Sequence, residues 1–284
     1  MKSPSFCTIT PTAYLPDYAR YTGSKYHLLL AHMLDPVSKD FDKQYLEFYQ
    51  STKLQDEIYI MDNGCFETLG VPYAPDRLVQ IGKEVGADVL VLPDYPWKNY
   101  QVTIDAATEH IPQFKESGFR TFFVPQSEAG DWNGWMRSFE WALFNPDIDV
   151  IGMSILAHPI ALPTYPKGYA RVVAADRIRQ YLDADPSRAA AYEAKHIHWL
   201  GLLSPGLELD PLLKMGMVDT LDSSSPVWYG HCGLAYNTFH ESWAIDKQYV
   251  PEVDFDAHIN KRAKPLIEHN LTIINNKFKQ YQKL

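Results

Sequence analysis

Met217-Val-Asp-Thr-Leu-Asp-Ser-Ser-Ser-Pro226 opens with a short apolar run, turns polar at Asp222 and closes on a proline. A short strand followed by a serine-rich loop puts Asp222 where strand gives way to loop. A carboxylate there is out of place in a core and well placed at the mouth of a site. The simplest local reading is an Asx-turn, in which Asp222 accepts hydrogen bonds from the groups that follow it. Whether it does more depends on what the rest of the chain brings beside it.

Working outward, apolar runs of strand length recur at 26–33, 57–61, 88–92, 120–124, 149–155, 196–203 and 218–221. Helical periodicity separates them, at 41–54, 76–85, 101–116, 132–144, 171–195 and 207–215, and returns at 258–280. Sustained alternation of this kind means a parallel sheet with crossover helices. The strands are apolar on both faces, so both faces of the sheet are covered. Seven units in 284 residues, with an eighth strand placed at 226–234, predict an α/β fold: a TIM (β/α)8 barrel in a single domain over 1–284. Residues 1–25, broken by Pro4, Pro11, Pro16 and Gly23, read as an N-terminal extension carrying a strand or hairpin, and 257–284 as a basic C-terminal helix.

The composition, 46% hydrophobic, supports a large core, and no apolar run is long enough to span a bilayer. The start, MKSPSFCTITPT, has no apolar signal-peptide region. Cys7, Cys65 and Cys232 are too few and too scattered for a disulfide framework, which points to a reducing, cytoplasmic setting. No metal or cofactor is expected: Cys232, with His231 before it and His240 beyond, is a single thiol and makes no closed tetrahedral site. A net charge of -9 argues against a nucleic-acid partner. The charge is uneven, however. Residues 257–284 carry Lys261, Arg262, Lys264, Lys277, Lys279 and Lys283 against Glu268, and a local basic face is compatible with phosphate binding. A solvated helix face explains the same residues.

In such a barrel, catalytic groups gather at the carboxyl ends of the strands. Those ends read Asp62-Asn63-Gly64-Cys65-Phe66-Glu67, Pro93-Asp94-Tyr95, Pro125-Gln126-Ser127, Gly152-Met153-Ser154, Leu203-Ser204-Pro205 and Asp222-Ser223. Any one of these polar residues could cap the helix that follows; as a set they make a site. Two carboxylates facing one another suit chemistry at an anomeric carbon, where one attacks and the other exchanges a proton with the leaving group. A further Asp and a Gln suit recognition of a planar base by its donor and acceptor edges, with Phe66 and Leu200 as apolar walls. His196 and His198 point to the same side of their strand. They precede its expected active end at Leu203-Ser204, so they are assigned to packing or surface. Asp219 lies three residues before Asp222 and should face the other way. Trp132, Trp135 and Trp141 read as helix packing.

At this point the residues resemble the tRNA-guanine transglycosylase family. The resemblance is carried by Asp62-Asn-Gly-Cys-Phe-Glu67, Pro93-Asp94, Val124-Pro-Gln126, Ile151-Gly152 and Val218-Asp-Thr-Leu-Asp222-Ser-Ser-Ser-Pro226, in the family's order. It implies that Asp222 attacks C1′ of a guanine nucleotide to form a covalent glycosyl-enzyme, and that Asp62 is the general acid/base. It implies that Asp94, Gln126 and the backbone at Gly152, with Ser154 beside them, read the guanine edge, and that Phe66 and Leu200 sandwich the ring. The family's zinc site has no counterpart here, and the basic residue that follows its nucleophile motif is replaced around Val227-Trp228. Those losses fall on tRNA handling, so the chain is similar to the phage-type DNA branch, which exchanges guanine in DNA for a 7-deazaguanine such as 7-cyano-7-deazaguanine. The partners implied are DNA, with tRNA as the alternative, and the free 7-deazaguanine base. A salvage hydrolase acting on queuine or deazaguanine nucleosides and a base-binding barrel without activity are the other readings. Lys167, Arg171, Arg177, Arg179, Lys261, Arg262 and Lys264 are the expected polymer contacts.

Overall fold

The computed structural model describes residues 3–68, 70–237 and 250–282. Among them the apolar runs form eight parallel strands: β1 (Ser5–Thr8), β2 (Tyr26–Leu29), β3 (Ile58–Met61), β4 (Val89–Val91), β5 (Arg120–Phe123), β6 (Val150–Ser154), β7 (His196–Leu200) and β8 (Thr220–Ser223). The pairing order is β1-β8-β7-β6-β5-β4-β3-β2, a nearly closed barrel. The helices are α1 (Leu15–Tyr18), α2 (Ala31–Leu34), α3 (Lys43–Thr52), α4 (Pro75–Val85), α5 (Tyr100–Glu116) and α6 (Trp132–Phe144). They continue with α7 (Ala157–Ala161), α8 (Lys167–Asp183), α9 (Pro186–Ala194), α10 (Pro205–Lys214), α11 (Ser225–His231) and α12 (Lys264–Tyr281). The fold is a TIM (β/α)8 barrel, as the alternation predicts.

Two expectations are corrected. The eighth strand is not at 226–234, which is mostly the helix α11; it is Ser5–Thr8, inside the stretch read as an extension. It pairs with β8 from Ser5↔Thr220 to Thr8↔Ser223. Four residues among three prolines give no periodicity to read, and the partner is more than two hundred residues away. The seam between β1 and β2 carries no ladder and is stitched by side chains instead. The Thr22 hydroxyl donates to the Phe6 carbonyl at 2.6 Å, and the Ser24 hydroxyl reaches Ser5 Oγ at 3.4 Å.

Alternation along each strand sends one set of side chains outward to the helices and the other into the barrel. The inward set on β2 to β6 is apolar, with Leu28, Ile60, Val89, Val91, Phe122 and Val150 in one cluster joined by Val124. On β7, Ile197 and Trp199 join the outer core, and on β8 so does Leu221. His196, His198, Thr220 and Asp222 therefore face inward, and this sector of the interior is polar. Trp135 is fully buried and stacks on Trp132 at 5.0 Å, while Trp141 packs against Phe123, so these rings do serve packing.

At the opposite end of the barrel, three aspartates repeat one device. Asp88, Asp149 and Asp219 each precede an even-numbered strand. Each accepts, through its side chain, the backbone N–H of a residue on the preceding strand: Tyr59 at 2.7 Å, Thr121 at 2.8 Å and Ile197 at 2.8 Å. Each also donates its own N–H to that same residue's carbonyl. Asp219 thus has a structural part at the amino end, where stability rather than chemistry is served. Asp42, Asn99, Asp131 and Asp185 are likewise committed as N-caps of α3, α5, α6 and α9.

Candidate active site

Asp222 is buried at the carboxyl end of β8. It does not make the Asx-turn its local sequence suggests. The Ser223 hydroxyl takes that part, accepting the Ser225 N–H at 3.0 Å and meeting the Ser225 hydroxyl at 2.9 Å. Asp222 Oδ1 looks across to β7, where it lies 2.9 Å from His198 Nε2 and accepts the Gly201 N–H at 3.1 Å. Its Oδ2 has no hydrogen-bond partner among the described residues. Gly201 makes this geometry: with φ at 70° it ends β7 at Leu200 in a conformation that favours glycine.

Both histidines pack inside the barrel, as read, but that early ending moves the active end closer to His198. With the strand stopping at Leu200 rather than Leu203, His198 lies two residues from the active end. It is fully buried and touches the candidate nucleophile. The signal available in the sequence was Gly201, a strand terminator inside the apolar run.

The second carboxylate cluster sits at the ends of β3 and β4. Asp94 is buried and gripped on both oxygens. Asn63 Nδ2 donates to Oδ1 at 2.7 Å, and Gln126 Nε2 donates to Oδ2 at 2.6 Å. Asn63 also donates to the Leu92 carbonyl at 2.8 Å, so it ties the two strand ends together. Burial pushes the Asp94 carboxyl up to about 6, against the lowering effect of the Asn63 and Gln126 donors. The Gln126 Oε1 is buried without a hydrogen-bond partner among the described residues, an acceptor left open to a donor.

Asp62, directly after β3, is half-buried. Its carboxyl is held well above the usual carboxylate range, first by burial, then by the neighbouring negative charges of Glu67 and Asp94 and, more weakly, Asp222. The tertiary structure therefore brings Asp94 and Asp222 within electrostatic reach of Asp62, and adds Glu67. Glu67 is also raised by burial, while His32, 3.9 Å away, opposes the shift.

The apolar and small residues are placed as follows. Leu200 is half-buried at the end of β7, beside Ser154 in the β6–β7 register. Phe66 stands exposed on the loop after β3. Ser154 Oγ accepts the Leu156 N–H at 3.1 Å, turning the chain into α7. Gly152 pairs with His198, and a Cβ there would lie 2.2 Å from the Phe122 ring. Glycine thus admits the Phe122 ring, which sits edge-on to His198 at 5.6 Å.

Arg171, expected as a polymer contact, is corrected: it is fully buried. Its guanidinium pairs with the equally buried Glu208 at 3.1 Å, donates to the Gly201 carbonyl at 2.8 Å and lies over the Trp199 ring. Helical periodicity hid this, because α8 is covered on that side by α10 and β7. Arg177 is half-buried over the Trp132 ring at 5.3 Å. Arg179, Lys167, Lys261, Arg262 and Lys264 are exposed; Arg179 pairs with Asp183 and Lys264 with Glu268. His231 Nδ1 lies 2.9 Å from the Tyr14 hydroxyl, and its ring stacks on Trp228. Cys232 is half-buried, and His240 lies outside the described residues. Among the described residues no cluster of His, Cys, Asp and Glu could hold a metal ion, and no helix is long and apolar enough to cross a membrane.

The arrangement offers a held carboxylate with one uncommitted oxygen, an acid raised toward protonation, and a buried acceptor set for a donor-rich ligand edge. That combination suits nucleophilic attack at a carbon whose leaving group needs a proton. No protein-family model matches the chain, and no curated protein matches it.

Proposed function

We propose that the chain is a base-exchange glycosyltransferase that replaces guanine in DNA with a 7-deazaguanine. Asp222 Oδ2 attacks C1′ of the target nucleotide; the bond from C1′ to the base nitrogen breaks, and its electron pair leaves with guanine. Asp62 protonates the departing base and then takes a proton from the incoming 7-deazaguanine, which reopens the glycosyl ester. Asp94 and Gln126 supply the polar edge for the base, and Phe66 and Leu200 its faces. The observation that carries the reading is the state of Asp222, with Oδ1 committed to His198 and Gly201 and Oδ2 to nothing among the described residues. The raised Asp62 carboxyl, which feels the charge of Asp222, supports the acid role. The choice of DNA rests on the motif resemblance. A duplex substrate would need its guanine flipped out, at a cost of roughly a few kcal/mol.

The test is a competition assay. Protein is mixed with 7-cyano-7-deazaguanine, plasmid DNA and bulk tRNA, and the digested nucleosides are read by mass spectrometry. Modified deoxynucleoside, absent with Asp222→Ala, is the expected result. Modified ribonucleoside alone would move the activity to tRNA, and release of guanine without exchange would make the protein a hydrolase.

A further inference from the structure

The interior of this barrel is largely apolar along β2 to β6 and polar on β7 and β8, and the polar groups of those two strands are linked. His196 Nε2 lies 2.8 Å from Thr220 Oγ1, His198 Nδ1 lies 2.7 Å from the same oxygen, and His198 Nε2 lies 2.9 Å from Asp222 Oδ1. The strands set this register: His198 pairs with Thr220 across the β7–β8 ladder, and alternation places His196 and Asp222 one step to either side. His196 is half-buried toward the amino end of the barrel and stacks on Tyr26 at 4.7 Å. His198 and Thr220 are fully buried. Four linked polar groups in a barrel core are costly unless every member is satisfied.

With Asp222 as the carboxylate that a nucleophile must be, only one direction satisfies them without charge on the histidines. The Thr220 hydroxyl has a single proton to give. If it donates to His198 Nδ1, then His198 carries its proton on Nε2 and donates to Asp222 Oδ1, while Thr220 Oγ1 accepts from His196 Nε2–H. If Thr220 donates to His196 instead, His198 must carry a proton on Nδ1. Its Nε2 then meets the Asp222 oxygen lone pair to lone pair unless a second proton is added.

We propose that Thr220 and His196 are positioning residues, which fix His198 as its Nε2–H tautomer and so select Oδ2 of Asp222 as the attacking atom. The selection acts on the nucleophile and therefore rests on the reading given under Proposed function. His198 keeps the same donor on Oδ1 before attack, when the oxygen belongs to a carboxylate, and after it, when the oxygen is the carbonyl of the glycosyl ester. No proton needs to move along the chain during the exchange.

The test reads the tautomer and the chemistry separately. Protein labelled with 15N-histidine is examined by NMR at neutral pH, with the His198 signals identified by their loss in His198→Gln. The ring nitrogen shifts are expected to show the Nε2–H tautomer in the wild type and in Thr220→Ser. Thr220→Val is expected to show the other tautomer or a mixture. Formation of the DNA adduct in a single turnover should fall on the order of tenfold in Thr220→Val and stay within about twofold in Thr220→Ser. A wild-type His198 protonated on Nδ1, or on both nitrogens, would overturn the proposal. So would a Thr220→Val protein with the wild-type tautomer and rate. Should Thr220→Val fail to fold, the wild-type tautomer and the same comparison in His196→Gln decide the matter. Absence of any exchange by the wild type would count against the glycosyltransferase reading and leave the tautomer result standing.

Discussion

His198 and Asp222, from neighbouring strands β7 and β8, meet inside the barrel with Nε2 and Oδ1 2.9 Å apart. The contact lies at the carboxyl end, where the Gly201 N–H reaches the same oxygen. The carboxylate is thereby oriented with one oxygen restrained, which is how a weak nucleophile gains from a pre-set geometry.

Removing the imidazole should therefore cost rate more than substrate. His198→Ala is expected to slow adduct formation on the order of a hundredfold, about 2.7 kcal/mol, with His198→Gln recovering part of it. Single-turnover mass spectrometry of the adduct checks this; an unchanged rate in the alanine variant would remove His198 from the mechanism.

The Asp62 carboxyl is held well above the usual carboxylate range, as the proposed general acid requires. Asp62→Asn should retain affinity for the free base while turnover falls by roughly a hundredfold or more, the usual worth of a general acid. Calorimetry with 7-cyano-7-deazaguanine and steady-state exchange separate the two effects. Equal losses in both would make Asp62 a binding group only.

Asp94 makes a prediction about pH. Its carboxyl sits near 6 in the folded protein against an ordinary 3.8, because burial disfavours the charge. Between those values the folded state holds a proton that the unfolded chain has released, so stability falls as pH rises across the window. The full contribution is about 3 kcal/mol. Urea unfolding from pH 4 to 7 should show a shallower decline in Asp94→Asn than in the wild type; identical slopes would contradict the shifted carboxyl.

Arg171 and Glu208 form a fully buried pair that also holds the Gly201 carbonyl. Either single alanine variant leaves a buried charge unmatched and should lose about 3–5 kcal/mol of stability. The double variant should lose less than the sum of the two. Chemical denaturation of all four proteins completes the cycle, and strict additivity would mean that the pair is not coupled.

Gly152→Ala would drive a methyl group into the Phe122 ring, with the built Cβ only 2.2 Å from it. A loss of roughly 1–3 kcal/mol is expected from overpacking, together with displacement of the ring that supports His198. A shift in melting temperature and in the His198 NMR signals would show both effects; neither would move if the ring has room to turn away.

Much of the barrel is local information. Helices α4, α5, α6 and α10 follow from periodicity, and the seven strands β2 to β8 from short apolar runs, because each pattern repeats within a few residues of itself. The acids Asp62, Asp94 and Asp222 are legible as candidate site residues for the same reason: each lies at or within a few residues of the end of a strand. What the sequence by itself determined is therefore the alternation of elements and the polar residues at their ends. The identity of the eighth strand, the partner of Asp222 and the burial of Arg171 were decided only by tertiary structure. Ser5–Thr8 becomes a strand by lying against Thr220–Ser223, and Asp222 meets His198 through the register of two strands joined by α10. Arg171 is buried because α10 and β7 close over it. Such pairings depend on which distant segments share a surface, and no local period of the chain carries that information.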